Sequence, residues 1–404
     1  MRALVILAAT ILVILSPTTR AATTIHWWQF WTDPDIKPVI ASMVTEFEQA
    51  HPDIKVKLTD LTWANGHEKI VIALASGTGP DILELGSDWI AQFAATGHLA
   101  DISSDIASDS SEFQGWGMAA YQGKVYARPW ILGTRVLFGN RDLLTQAGMD
   151  TSWVPITLDD LKYAAMKINR LGPEIYGWGS NTAEKHRLYK KFLPFFWSYG
   201  ADLFSEDGRF CLLTSQKGIH SLALYKALHD SCGYVANQRG IEDAFLQGRI
   251  GFIISGDWLL KRIEAEHSQI NLVTTLFPGR GFPGRSFQGG EFLAINEASE
   301  HKEAALKLIG FITSPENQLR FCRANHSANP SSIKAQADSY FTSNIHLQTF
   351  IKQITLSEHP PVDPNWAYME DAIEEAVEKA LFESGPIAHS LLEASRKITE
   401  LMEK

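Results

Sequence analysis

The stretch TIHWWQFWTDPDIKPVIASMVTEFEQAHPDIKVKL, residues 24–58, decides how the rest of this chain is read. Residues 24–30 form a short aromatic, β-prone run. Asp33-Pro34-Asp35 then offers two cap residues and a proline suited to a first helical turn. Ile36, Val39, Ile40, Met43, Val44 and Phe47 recur at helical spacing until His51-Pro52 stops the pattern. Ile54, Val56 and Leu58 alternate as a strand. Moving outward, the unit repeats. Residues 67–76 read as a second amphipathic helix ended by Gly77, and PDILEL (80–85) as a buried strand. Ser87 is expected to cap the helix carrying Trp89, Ile90 and Phe93. The order βαβαβα predicts an α/β fold with a largely parallel, helix-covered sheet.

Further along, VYARPWILGTRVLFGN (125–140) is too long for one strand and is interrupted by Gly133, so it reads as a crossing into a second lobe. Thr157 opens a capped helix and Ser215 another, running to Asp230. Residues 249–254 form a strand, and Gly256-Asp257-Trp258 opens the helix after it. A second crossing is expected at 274–278, and residues 292–295 with the helix 301–313 and a short helix 316–323 resume the first lobe. A third crossing, near 324–330, leads into helices at 366–383 and 386–403. The expected organisation is therefore 22–131 plus 279–326 for lobe one, and 132–278 plus 327–404 for lobe two.

The chain begins with Arg2, an apolar run at 3–15 and the small polar stretch SPTTRAA (16–22). This is the layout of a secretory signal peptide, residues 1–21, too short to span a bilayer. No cysteine follows the run, so no lipid anchor is expected and the mature protein should be soluble and periplasmic. Loss of Arg2 and Arg20 takes the formal net charge from −10 to −12. That acidity, without a basic stripe, argues against nucleic-acid binding. Cys211, Cys232 and Cys322 cannot all pair; a Cys211–Cys232 bridge is conceivable, three free thiols the simpler reading. No CxxC or HExxH spacing occurs, and neither a metal nor a cofactor is expected. GRGFPG (279–284) matches a dinucleotide motif by letters only, since Pro283 interrupts it and no helix follows. SSIK (331–334) lacks the partner motifs of a penicillin-recognising serine enzyme.

In order, FEQAHPDIKV (47–56), ALASGTGPDIL (73–83), TGHLADIS (96–103), GKVYARPW (123–130), FGNRDLLTQAGM (138–149) with PITLDDL (155–161), AFLQGRIGFIISGDW (244–258), GGEFLAI (289–295) and FITSPENQ (311–318) resemble the family 1 extracellular solute-binding proteins of ABC sugar importers. The resemblance spans nearly the whole mature chain. It implies a type II periplasmic-binding-protein fold: two α/β lobes joined by crossing segments, with a ligand cleft between them. It also implies a non-catalytic monomer that closes on a carbohydrate and delivers it to the permease subunits of the importer. Gly256-Asp257 stands where relatives often carry Gly-Pro before the tryptophan, which adds a carboxylate near the cleft.

A sugar offers apolar C–H faces and a rim of hydroxyls, so a cleft for it needs flat rings and hydrogen-bonding groups. Among twelve tryptophans, Trp31, Trp89, Trp130, Trp258 and Trp366 fall at strand ends, helix starts or a crossing, and are the ligand candidates. Trp366 also matches a sugar-stacking position of the family's maltose-binding member. Trp27, Trp28, Trp116, Trp153 and Trp178 read as core; Trp63 is undecided, and Trp197 with Tyr199 is placed on a candidate cleft loop. The polar candidates are Gln29, Thr32, Asp33, Glu84, Asp88, Arg135, Asp257, Gln288 and Glu291, although Asp33 also fits a helix cap. Glu84, an acid inside a buried strand, is expected to face the cleft. Gly289-Gly290 would admit close backbone approach. Two other classes use the same residues: a secreted glycoside hydrolase built on Glu84, Asp257 and Glu291, and a binder of a glycerol phosphodiester or polyamine.

Overall fold

Strand Thr23–Gln29 alternates, with Ile25, Trp27 and Gln29 buried. It pairs in parallel with Ile54–Asp60 on one side and Ile82–Gly86 on the other. Helices Lys37–Ala50 and Gly66–Ala75 make the crossovers between them, as the periodicity predicted. The computed structural model describes residues 22–403 apart from 107–109, 183, 282 and 327–328, so the expected signal peptide lies outside the described residues.

The sheet is mixed rather than largely parallel. Ser286–Ile295 runs antiparallel to Ile82–Gly86 and to Ala127–Thr134, and Asn329–Pro330 adds at the far edge. The returning chain comes back from the other lobe, and so enters this sheet from its opposite end. A second sheet holds Leu272–Thr275, Val136–Asn140, Ile250–Ser255, Tyr176–Asn181 and Gly233–Ala236, in that spatial order. Both sheets are covered by helices, giving two α/β lobes with separate cores.

The long stretch at 125–140 changes sheets at Arg135: Ala127–Thr134 belongs to the first and Val136–Asn140 to the second. The chain returns between Thr275 and Ser286. The segment expected to enter lobe two at 327 instead supplies Asn329–Pro330 and Ser357–Glu358 to the first sheet. Phe341 and Leu347 lie in the first lobe's core, and Trp366–Phe382 joins the second. Helix Ile345–Ile354 packs on both lobes, with Phe350 in a core cluster of the second, so its apolar pattern carries no lobe address. The crossings are tied together. Thr134 Oγ1 donates to Phe287 O at 2.7 Å and lies 2.8 Å from Ser357 Oγ, while Ser286 Oγ donates to Arg135 O at 2.6 Å.

Thr157 and Ser215 cap their helices through side-chain oxygens, Thr157 in a reciprocal box with Asp160. Two other cap expectations fail. The first helix starts at Lys37 with Pro38 in its opening turn, and Asp33 contributes only its carbonyl, to Ile36 and Lys37. Ser87 begins a 3₁₀ turn, Ser87–Trp89, with no side-chain cap hydrogen bond. The three cysteines are free thiols.

Candidate functional site

The carboxyl ends of the first lobe's parallel strands and the tied crossings face the start of two helices in the second lobe. Between them lies a cleft of about 310 Å³. The first lobe contributes Trp31, Asp33, Asp88, Gly289, Gly290 and Glu291, and the second Asp257 and Trp258. Arg135 stands at the crossing. All of these were singled out in the sequence. Gly290 is tightly constrained, since a Cβ there would approach Ile131 O to 2.5 Å; its glycine serves strand–strand approach.

The other candidates lie elsewhere. Gln29 is buried and structural, donating to Asp60 Oδ1 and accepting from Trp31 N, both at 2.6 Å. Thr32 is exposed and outside the cleft lining. Glu84 is wholly buried beneath the cleft: its Oε2 accepts from Phe30 N at 2.9 Å, and desolvation holds its carboxyl well above the usual range. The acid that was expected to face the cleft ties down the chain that carries Trp31. Trp89 packs against Phe30 and His67, with ring centroids 5.9 and 4.8 Å away. Trp130 is core, edge-on to Trp27 at 5.9 Å. Gln288 pairs opposite Thr134 and does not line the cleft. Trp197 and Tyr199 flank a separate surface hollow with Lys217, Arg280 and Arg285. Trp366 is 1% exposed, edge-on to Tyr189 at 5.7 Å in the second lobe's core.

Residues that the sequence left aside complete the wall. Trp63, half exposed, stacks on Phe30 at 4.2 Å and lines the cleft. Phe287, Lys190, Lys261 and Asn325 join it. Lys190 and Lys191 offered a signal, being two lysines in the otherwise aromatic run YKKFLPFFWS. Lys191 Nζ turns inward to Ile254 O at 2.8 Å, while Lys190 reaches Asp88 at 3.7 Å across the cleft. Lys261 likewise lies 3.7 Å from Asp35 and 3.9 Å from Asp33 on the opposite lobe.

Charge in the cleft is closely coupled. Arg135 lies 4.5 Å over the Trp258 ring and 5.4 Å from that of Phe287. Its desolvation lowers its pKa to about 10, partly offset by Asp257. Glu291 is pushed up to about 8, first by desolvation and then by Asp257, against the pull of Arg135 and Lys190. At neutral pH it holds a proton and can donate a hydrogen bond. Trp258 leans back over Gly256, where a Cβ would lie 1.9 Å from the ring. Gly256→Ala is expected to displace that ring and weaken ligand binding about tenfold, roughly 1.4 kcal/mol by isothermal titration. Unchanged affinity would show that the ring has room to move.

On the second lobe, His186, Glu370 and Asp371 bring ligand-type atoms within 4.8 Å of one another. Glu370 bonds His186 Nδ1, and Glu374 accepts from His186 N and Tyr189 N. Glu370 and Glu374 thereby clamp the start of helix Tyr189–Ser198, while Asp371 pairs with Lys185 at 3.7 Å.

Residues 33–319 match the family model described as bacterial extracellular solute-binding protein. A Brucella abortus protein named as a binding protein is 24% identical over 380 residues, covering 91% of this chain and 90% of its own. The diacetylchitobiose binding protein of Streptomyces coelicolor is 25% identical over 351 residues, covering 82% and 78%. Among solved structures, the sugar-binding protein MalE from Xanthomonas citri superposes with a TM-score of 0.84 at 22% identity, covering 94% of this chain and 98% of that one. At that identity the likeness is one of fold.

Proposed function

The chain belongs to the bacterial extracellular solute-binding protein family, and on that premise we propose that it captures a carbohydrate in the interlobe cleft and hands it, unaltered, to the permease of an ABC importer. One observation carries this reading. The cleft joins rings from both lobes, Trp31, Trp63 and Trp258, to carboxyl and cationic groups on the same walls. Rings cover the C–H faces of a sugar, and the polar groups take its hydroxyls. The cations at the mouth already face carboxylates, Lys190 with Asp88 and Lys261 with Asp33 and Asp35, which suits an uncharged ligand better than a phosphodiester. The names of the Streptomyces and Xanthomonas proteins support a sugar. Binding stabilises the closed arrangement that a permease recognises. The protein acts as a monomer, exported to the periplasm by its first 21 residues. No helix among the described residues is long and apolar enough to cross a membrane.

The test is a thermal-shift screen with maltose, maltotetraose, galacto-oligosaccharides and N,N′-diacetylchitobiose. A sugar at 100 times its dissociation constant adds about 2.7 kcal/mol of stability, and chromatography should recover it intact. A cleaved sugar would make the protein a glycoside hydrolase. No shift with any saccharide would remove the carbohydrate reading.

A further inference from the structure

Behind Trp258 lies a buried polar network centred on Glu242, a residue of helix Gln238–Leu246 that is 3% exposed. Its neighbours Ile241, Ala244 and Phe245 are buried, so an apolar residue would suit the position. A carboxylate there is costly unless its oxygens are filled. They are. Oε1 accepts from Trp258 Nε1 at 2.7 Å, Ser255 Oγ at 2.8 Å and Gln238 Nε2 at 2.6 Å. Oε2 accepts from Arg262 Nη1 at 3.0 Å, and Arg262 Nη2 continues to Asp243 Oδ1 at 2.6 Å. Gln238 is itself held, by Asn181 Nδ2 on its Oε1 at 3.2 Å and by Glu184 Oε2 on its backbone N–H at 2.5 Å.

We infer that Glu242 is a positioning residue for ligand binding: by holding the indole N–H of Trp258 it sets the orientation of the cleft ring and thereby the affinity. The inference rests on the cleft being the binding site. Three constraints meet on that ring. Glu242 takes its N–H, Arg135 lies 4.5 Å from its centroid, and Gly256 leaves the space into which it leans. A ring ordered in advance loses no rotamer freedom when ligand arrives, and a wall built this way binds more tightly than the same ring left loose. If Glu242 served lobe stability alone, its removal would weaken folding without regard to the indole.

Glu242→Gln keeps the shape but replaces one oxygen with an NH₂ group. Facing the indole side or the arginine side, that donor meets other donors. The first arm needs no ligand. In the full chain labelled with [¹⁵N]tryptophan, the Trp258 indole signal is the one missing from W258F. It should be slow to exchange in the parent protein and should shift and exchange faster in E242Q. The second arm uses whichever sugar of the screening panel gives the largest thermal shift. E242Q should weaken its binding at least tenfold when Trp258 is present, and less than twofold in the W258F background, where no indole N–H exists. Equal losses in both backgrounds, or an unmoved indole signal, would overturn the inference. Glu242→Asp, which keeps the charge and shortens the reach, replaces E242Q in both arms if melting curves show that E242Q fails to fold. If no sugar on the panel binds, the carbohydrate reading fails, while the indole signal still decides whether Glu242 holds Trp258.

Discussion

Trp366→Ala should lower the unfolding free energy of the second lobe by about 3–5 kcal/mol while changing sugar affinity less than about threefold. The side chain is 1% exposed and packs edge-on to Tyr189 within the core that also holds Met369, Ile373 and Val377. Truncating a wholly buried indole removes its transfer free energy and leaves a cavity that close-packed neighbours fill only in part. Urea unfolding followed by titration well below the transition midpoint measures both quantities. A ring that stacks on ligand gives the opposite pattern, a binding loss of ten-fold or more with little change in stability. Such a result would move Trp366 back to the role that the family resemblance suggested.

The second large effect is on pH. Glu291 is pushed up to about 8 in the folded protein, against 4.5 for the ordinary group. Between these values the folded state holds a proton that the unfolded chain has released. The contribution of Glu291 to stability therefore falls as pH rises from about 5 to 8 and levels off above that. A wholly shielded group moved this far would be worth about 4–5 kcal/mol; Glu291 still touches the open cleft, and the expected change is about 2 kcal/mol. Glu291→Gln keeps a neutral side chain at every pH and should flatten the profile, leaving a residual slope in the same direction from Glu84. Asp257→Asn should lower the Glu291 pKa, since Asp257 is its chief charged opponent. Unfolding free energies at pH 5, 6.5 and 8 decide it. An E291Q profile as steep as the parent's would mean that Glu291 is ionised in the folded protein.

The family and the order of the first lobe's main elements were legible in the sequence. Local signals were enough for these: the 3.6 and 2.0 periods, proline and glycine breaks, the Thr157 box and the Ser215 cap, and eight family pieces in order. The change of sheet at 125–140 could also be read, because no single strand is that long. Gly289, Gly290 and the acids Asp257 and Glu291 were recognisable because a missing side chain and acidity are carried by residue type.

What local sequence does not encode is which of twelve tryptophans meets solvent. An indole suits a core and a sugar face for the same physical reason, its large apolar area with one polar handle. Trp366 opens a helix and is buried; Trp63 follows a strand, undistinguished, and stands half exposed in the cleft wall. The difference comes from Tyr189 and Phe30, partners 177 and 33 positions away, whose placement depends on how distant segments pack. The third crossing was placed too early, near 324–330, for a similar reason: a two-residue strand and a helix apolar toward both lobes have no pattern that says where they belong. Sequence determined the elements that carry clear periods and caps, together with the chemistry available to a site; packing between segments far apart in the chain decided which of those groups face one another.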